Sequence, residues 1–171
     1  MVATVTINEH NTSTPGTRTD KTSGTVRFKK ADNATVDINN PLVKPPTGND
    51  RSYEKWLRAR IGATGPTGQI TNLQFYSSGS LGAGAVIYIR TTNPGVYATP
   101  ATPSDDTAGT DLSTYTSGSR KNLGVANASP YTGTNVDFGD FAVLWATIDD
   151  TISAPQNPTT TMTVTMSYDE T

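Results

Sequence analysis

Apolar and polar positions in this chain alternate far more often than they recur at helical spacing. The densest apolar run is residues 53–76. Tyr53, Leu57, Ala59 and Ile61 alternate with polar neighbours, and after a Gly/Pro-rich stretch at 62–68 come Ile70, Leu73 and Phe75. Tyr53, Trp56, Leu57, Arg60 and Ile61 also fit helical spacing. The other periodic stretches of this Thr-rich chain all alternate, so strand is the expected state. Two extended segments, 53–61 and 69–76, are expected to neighbour each other in an antiparallel core.

Further elements follow in chain order. Residues 2–7 predict a short strand with Val5 and Ile7 on one face. Residues 8–24 contain no large apolar side chain, and Pro15-Gly16 signals a turn, so this stretch is expected as a mobile arm or loop. Residues 25–28 and 34–38 predict two short strands around Asp32-Asn33. Pro41, Pro45 and Pro46 make 39–50 a stiff, extended connector. Residues 77–84 read as a loop, and residues 85–90, apolar on both faces, as a central strand. Residues 92–137, broken by Pro94, Pro100, Pro103 and Pro130, offer only short pairing segments near 112–115 and 123–125. Residues 141–148 form the most hydrophobic run, with Phe141, Val143 and Trp145 on one face and Leu144 and Ile148 on the other. Residues 161–168 alternate without fault, placing Met162, Val164, Met166 and Tyr168 inward. Seven to nine strands with long polar loops predict an all-β, two-sheet antiparallel sandwich, jelly-roll-like rather than immunoglobulin-like. No fixed period suggests a propeller or solenoid. The 171 residues are expected to form one domain, 1–171.

Composition agrees. Apolar residues reach 33% and charged residues 16%, with Thr, Ser, Asn and Gly filling the difference. Low charge argues against ordinary disorder, and β-branched Thr and Val suit a half-buried pleated surface. The chain has no cysteine, which excludes disulfides and thiolate metal sites. It has no apolar run near the roughly 18 residues of a membrane span. The first residues lack the pattern of a secretory signal, so synthesis and retention in the cytoplasm are expected. Net charge is −2, yet residues 1–60 hold ten basic against six acidic residues and 61–171 hold three against nine. Such asymmetry suits a protein–protein contact.

Candidate chemistry is sparse. The single histidine, His10, stands in the polar stretch without a nucleophile or scaffold beside it and is expected to be solvated. Asp105-Asp106, Asp149-Asp150 and Asp169-Glu170 lack calcium-loop spacing, and neighbours on a strand point to opposite faces. Glycines at 79–84 lack the Lys-Ser/Thr of a phosphate loop. Arg58 and Arg60 beside Tyr53 and Trp56 resemble a basic aromatic patch, but a pI near 5.2 argues against nucleic acid as partner. No catalytic, cofactor or metal residues are expected, and the reading is of a non-enzymatic protein.

The order of several segments resembles small virion structural proteins of tailed bacteriophages. These are the Ala3-Thr4-Val5-Thr6 strand, Ser52-Tyr53-Glu54-Lys55-Trp56-Leu57-Arg58, Ile70-Thr71-Asn72-Leu73-Gln74-Phe75-Tyr76, Gly139-Asp140-Phe141-Ala142-Val143-Leu144, and the closing Met166-Ser167-Tyr168-Asp169-Glu170-Thr171. The resemblance implies a capsid decoration (cement) protein in the virion, a β-sandwich that binds the major capsid protein on the outer head surface. It also implies a homo-oligomer, with a trimer favoured, and no membrane partner. A tail, neck or fibre-adaptor role is the alternative. The expected partner contacts are Arg18, Lys21, Pro41, Lys44, Pro45, Pro46, Arg58 and Arg60, from the 8–24 arm, the connector and the 53–61 strand. Two further classes are weighed: a carbohydrate-binding module using exposed Tyr and Trp, and a glycosidase using two distant acids.

Overall fold

The computed structural model describes residues 2–14, 16–124, 131–152 and 161–171. The turn expected at Pro15, the Val125 end of the 123–125 segment and Pro130 lie outside them. Ten strands form in chain order: β1 (Val5–Asn11), β2 (Thr17–Asp20), β3 (Asn49–Arg51), β4 (Lys55–Ile61), β5 (Ile70–Gly79), β6 (Ala85–Thr92), β7 (Thr110–Asp111), β8 (Lys121–Asn122), β9 (Val136–Asp149) and β10 (Met162–Glu170). Short 3-10 turns at Pro94–Val96 and Leu112–Thr114 are the helical elements among the described residues. None is a helix long and apolar enough to cross a membrane.

The strands build a two-sheet antiparallel sandwich. The larger sheet runs β2-β1-β4-β9-β6-β7, with β3 also paired to β9, and the smaller runs β10-β5-β8. Alternation decides which side chains fill the space between them. Leu57, Ala59 and Ile61 of β4 meet Leu73 and Phe75 of β5, Ile87 and Ile89 of β6, and Ala142, Leu144 and Ala146 of β9. Each fully buried Leu, Ile or Phe side chain there contributes about 1.5–3 kcal/mol. Met162, Val164, Met166 and Tyr168 of β10 pack on this core partly buried, on the face that their alternation assigns.

The opposite face of the larger sheet is covered too. Trp56, Phe141 and Val143 form a second apolar cluster, closed by Tyr97 from the 93–109 loop. Trp145 stacks on Tyr88 at 5.8 Å, and its Nε1 donates to Asp106 at 2.8 Å. Arg51 reaches the same carboxylate with two nitrogens at 2.9 and 3.0 Å, which pins the loop to β3 and β9. Strand β9 is therefore buried on both faces, as an apolar run of this kind requires. It carries an irregularity where Leu57 pairs Ala142 but Ala59 pairs Phe138. Gly139 supplies the left-handed backbone there, with φ of 70°.

Three expectations change. Residues 53–61 and 69–76 are strands, but not neighbours: β4 lies in the larger sheet and β5 in the smaller. The 62–69 connection exceeds the roughly 2–5 residues of a hairpin loop and instead crosses between sheets. Residues 8–24 are not a free arm. β1 pairs β4 from Val5↔Ile61 to His10↔Trp56, and β2 pairs β1 from Asn8↔Asp20 to Asn11↔Thr17, leaving a turn at 21–24. Glu9, His10 and Asn11 are buried. Strands at 25–28 and 34–38 do not form.

The physical reason for the second and third changes is one buried charge cluster. The larger sheet is wider than the smaller one, and the irregular 21–40 segment covers the surplus with Val26 and Phe28. Beneath it the Glu9 carboxylate lies 3.3 Å from Lys55 and 3.6 Å from Lys21. Lys55 donates to the carbonyls of Ala31 and Asn33, Lys21 to those of Thr25 and Ala34, and Lys29 to that of Thr35. Ammonium groups thus take the acceptors that a neighbouring strand would have used. Lys29 sits below the ordinary lysine range, through burial first and then the charge of Lys55. The connector at 39–50 is an exposed extended segment ending in β3, tied down by the Lys30–Asp50 ion pair and by Lys44, which donates to the Ile152 carbonyl at 2.8 Å.

Candidate functional site

Strand β4 sends Leu57, Ala59 and Ile61 inward, so Trp56, Arg58 and Arg60 face outward. β1 and β2 lie on one side of it and β9 on the other. This arrangement brings Arg18, Arg58 and Arg60 together around Asp137. Arg18 contacts the Asp137 carboxylate at 2.9 Å and Arg60 at 2.8 Å. Arg58 donates through Nε to the Gly139 carbonyl at 2.9 Å and lies 5.4 Å from the centre of the Phe141 ring. Three guanidinium groups against two carboxylates, Asp137 and the buried Asp140 whose charge acts on Arg58, leave this patch with net positive charge.

Exposure within the patch is graded. The Arg18 side chain is 41% exposed and that of Arg60 24%, whereas Asp137 is 11% exposed. Burial pushes the Asp137 carboxyl up, but the Arg60 hydrogen bond and the charges of Arg18, His10 and Arg60 outweigh it, holding it below the usual carboxylate range. Arg58 lies below its ordinary value because of burial. A guanidinium deprotonates above any working pH, so Arg58 stays charged. The patch therefore suits carboxylates on a partner, because guanidinium forks bind them in a fixed, two-pronged geometry.

His10 lies beneath the patch and not in solvent. It is fully buried, with its ring edge-on to Phe141 at 5.1 Å. Neither ring nitrogen has a hydrogen-bond partner among the described residues. Burial, helped by Arg18, Arg58 and Arg60 against the opposing pull of Asp137, lowers its pKa to about 4. The imidazole is neutral at pH 7 and serves as packing.

The remaining expected contact residues lie elsewhere. Lys21 is drawn into the Glu9 cluster, with its side chain 8% exposed. Pro41, Lys44 and Pro46 line the exposed connector, with Pro45 half-buried. Hydrophobic patterning gave no sign of Asp137, the hub of the arginine patch. Its one signal was its place next to the apolar β9 run.

Four of the paired acids, besides Asp106, have structural partners. Asp105 accepts from Thr107, Asp149 from Thr151, Asp169 from Asn72, and Glu170 from the Ala3 amide. No group of three or more His, Asp or Glu side chains is placed to hold a metal among the described residues. Trp56 and Trp145 are both 1% exposed, so neither tryptophan offers an open sugar platform, and the tyrosines are partly buried. No family model, curated protein or solved structure matches the chain.

Proposed function

We propose that this chain is a non-enzymatic structural protein of a bacteriophage particle, a decoration protein that binds the outer head surface and stabilises the shell. The observation that carries the reading is the patch of Arg18, Arg58 and Arg60 on a strand face, in excess over the two carboxylates beside them, Asp137 and Asp140. A stabiliser gains from contact groups held in place before binding, because little side-chain freedom is then lost on docking. Arg58 is stacked on Phe141 and Arg60 is held by Asp137, so both are preordered for an acidic surface on the major capsid protein. The exposed connector with Pro41, Lys44, Pro45 and Pro46 supplies a second, stiff element for a neighbouring capsomer.

The experiment is quantitative protein analysis of purified particles, paired with rebinding of the free chain to particles that lack it. Hundreds of copies per particle support the shell role, and a handful would move the chain to the tail or neck. Absence from particles would overturn the reading. Rebinding should weaken steeply with salt and be lost in Arg18→Glu, because exposed charges are screened beyond about 8–10 Å at physiological ionic strength. Rebinding that ignores salt and Arg18→Glu would remove the patch as the contact.

A further inference from the structure

Strand β10 is an edge strand. One side pairs β5 from Met162↔Gly79 to Glu170↔Ile70, and the other pairs no strand among the described residues. Soluble proteins usually blunt such an edge with lysine, proline or a short strand. β10 is nine residues long and reads Met-Thr-Val-Thr-Met-Ser-Tyr-Asp-Glu, with neither lysine nor proline; its register irregularity between Ser167 and Asp169 and its two acids lie at the far end, leaving 162–167 regular.

Under this edge the sandwich is open. A groove of about 530 Å³ runs between the sheets, walled by Ile7, Val26, Phe28, Leu81, Met162 and Val164. A second hollow of about 330 Å³ shares Ile7 and Val164 and continues along the strand past Met166 and Tyr168. All six named walls of the first groove are partly solvent-accessible. A strand laid beside β10 would satisfy its free backbone groups and send alternate side chains into this apolar trough.

The same chain carries a segment of that kind. Residues 34–38, Ala-Thr-Val-Asp-Ile, have the alternation of a strand and form none. Val36 is 64% and Ile38 83% exposed. The backbone groups of Val36, Asp37 and Ile38 make no hydrogen bond among the described residues. The segment is nevertheless held out from the body at both ends. Lys21 donates to the Ala34 carbonyl at 2.8 Å and Lys29 to that of Thr35, while the Lys30 amide donates to the Asn40 carbonyl at 2.8 Å. Asp37, whose side chain alternation sends the other way, is occupied by Asn40 at 2.9 Å.

We propose that residues 36–38 of one copy, whose backbone groups are unpaired among the described residues, add as a short strand to the open edge of β10 in a second copy, with Val36 and Ile38 seated in its groove. The contact joins two different surfaces, so it is head-to-tail and closes into a ring when the rotation permits. One inserted strand buries less than a standard interface of roughly 1,200–2,000 Å², so assembly depends on concentration in the free protein. The inference rests on the homo-oligomer expected of a shell protein and fails separately from it. A chain abundant on particles but monomeric in solution loses this contact alone.

The test is solution mass against concentration, by light scattering or sedimentation. The wild-type chain should self-associate, and Val36→Asp with Ile38→Asp, at exposed positions, should be monomeric with an unchanged circular dichroism spectrum. Val164→Glu in the groove should also be monomeric. If that variant does not fold, Thr163→Lys with Thr165→Lys on the β10 edge replaces it. Mixing the 36/38 variant with the groove variant should restore dimers, since one supplies an intact groove and the other an intact strand. A wild-type chain monomeric at every concentration, a 36/38 variant that associates like wild type, or a mixture that stays monomeric would each overturn the proposal.

Discussion

His10 makes the fold sensitive to mild acid in a window it shares with Glu54, whose carboxyl, pushed up by burial, acts in the opposite sense. It is fully buried, and its pKa falls from 6.5 to about 4. In the unfolded chain the imidazole protonates near 6.5, while in the folded chain it stays neutral until about pH 4. Between those values the unfolded state binds more protons, so stability is full above pH 6.5 and declines as pH falls toward 4. A displacement of that size corresponds to about 3 kcal/mol. Asp106 and Asp137 have folded values below their unfolded ones, so their contribution is lost at lower pH, as it falls through those depressed values. The two effects therefore separate on the pH axis. Urea unfolding at steps between pH 7 and pH 4.5 measures the first. His10→Phe keeps the ring against Phe141 and forfeits no hydrogen bond, because neither imidazole nitrogen has a partner. The variant should match or exceed wild-type stability at pH 7, since unpaired buried polar groups cost about 1–3 kcal/mol. It should also lose most of the slope above pH 4.5. A wild-type chain equally stable at pH 7 and pH 4.5, or a variant that keeps the wild-type slope, refutes the buried-imidazole account.

Glu9→Ala should lower stability by about 3–5 kcal/mol, because it leaves the fully buried Lys55 ammonium without its counter-charge. In a domain of this size each kcal/mol moves the melting temperature by about 2–4 °C, so a scanning-calorimetry shift of only a degree or two would contradict the cluster's role. Gly109→Ala drives a Cβ into the Trp145 ring and to 2.9 Å from Tyr88, and overpacking should cost about 1–3 kcal/mol with a changed near-ultraviolet tryptophan signal. Arg18→Ala should lower the melting temperature by no more than about 4 °C, since a partly exposed ion pair is worth about 0–1 kcal/mol. A large loss there would make Arg18 a structural residue and not a contact.

The strands that carry an apolar stripe were legible without coordinates. β4, β5, β6, β9 and β10 each show alternation or a continuous apolar run, and the faces assigned to Leu144, Trp145, Val164 and Met166 are those observed. What stayed hidden is polar or non-local. The β1 positions Asn8 to Asn11 are buried because strands on both sides enclose them and because Lys55, Lys21 and Asp32 arrive from distant parts of the chain. A hydrophobic pattern cannot register a strand whose burial is bought by charge pairing. The 34–38 segment errs the other way: its local pattern favours a strand, but lysines claim its first two carbonyls, those of Ala34 and Thr35. Pairing partners were likewise undetermined: the length of the 62–69 connection disfavours a hairpin, but only the packing of β9 between β4 and β6 shows which sheet each strand joins. Local sequence thus determined which segments are extended and which face is apolar, through the two-residue period of a strand. The tertiary structure alone decided sheet membership, the Glu9 cluster and the meeting of Arg18, Arg58 and Arg60 at Asp137, because each depends on residues that only folding brings within a few ångströms.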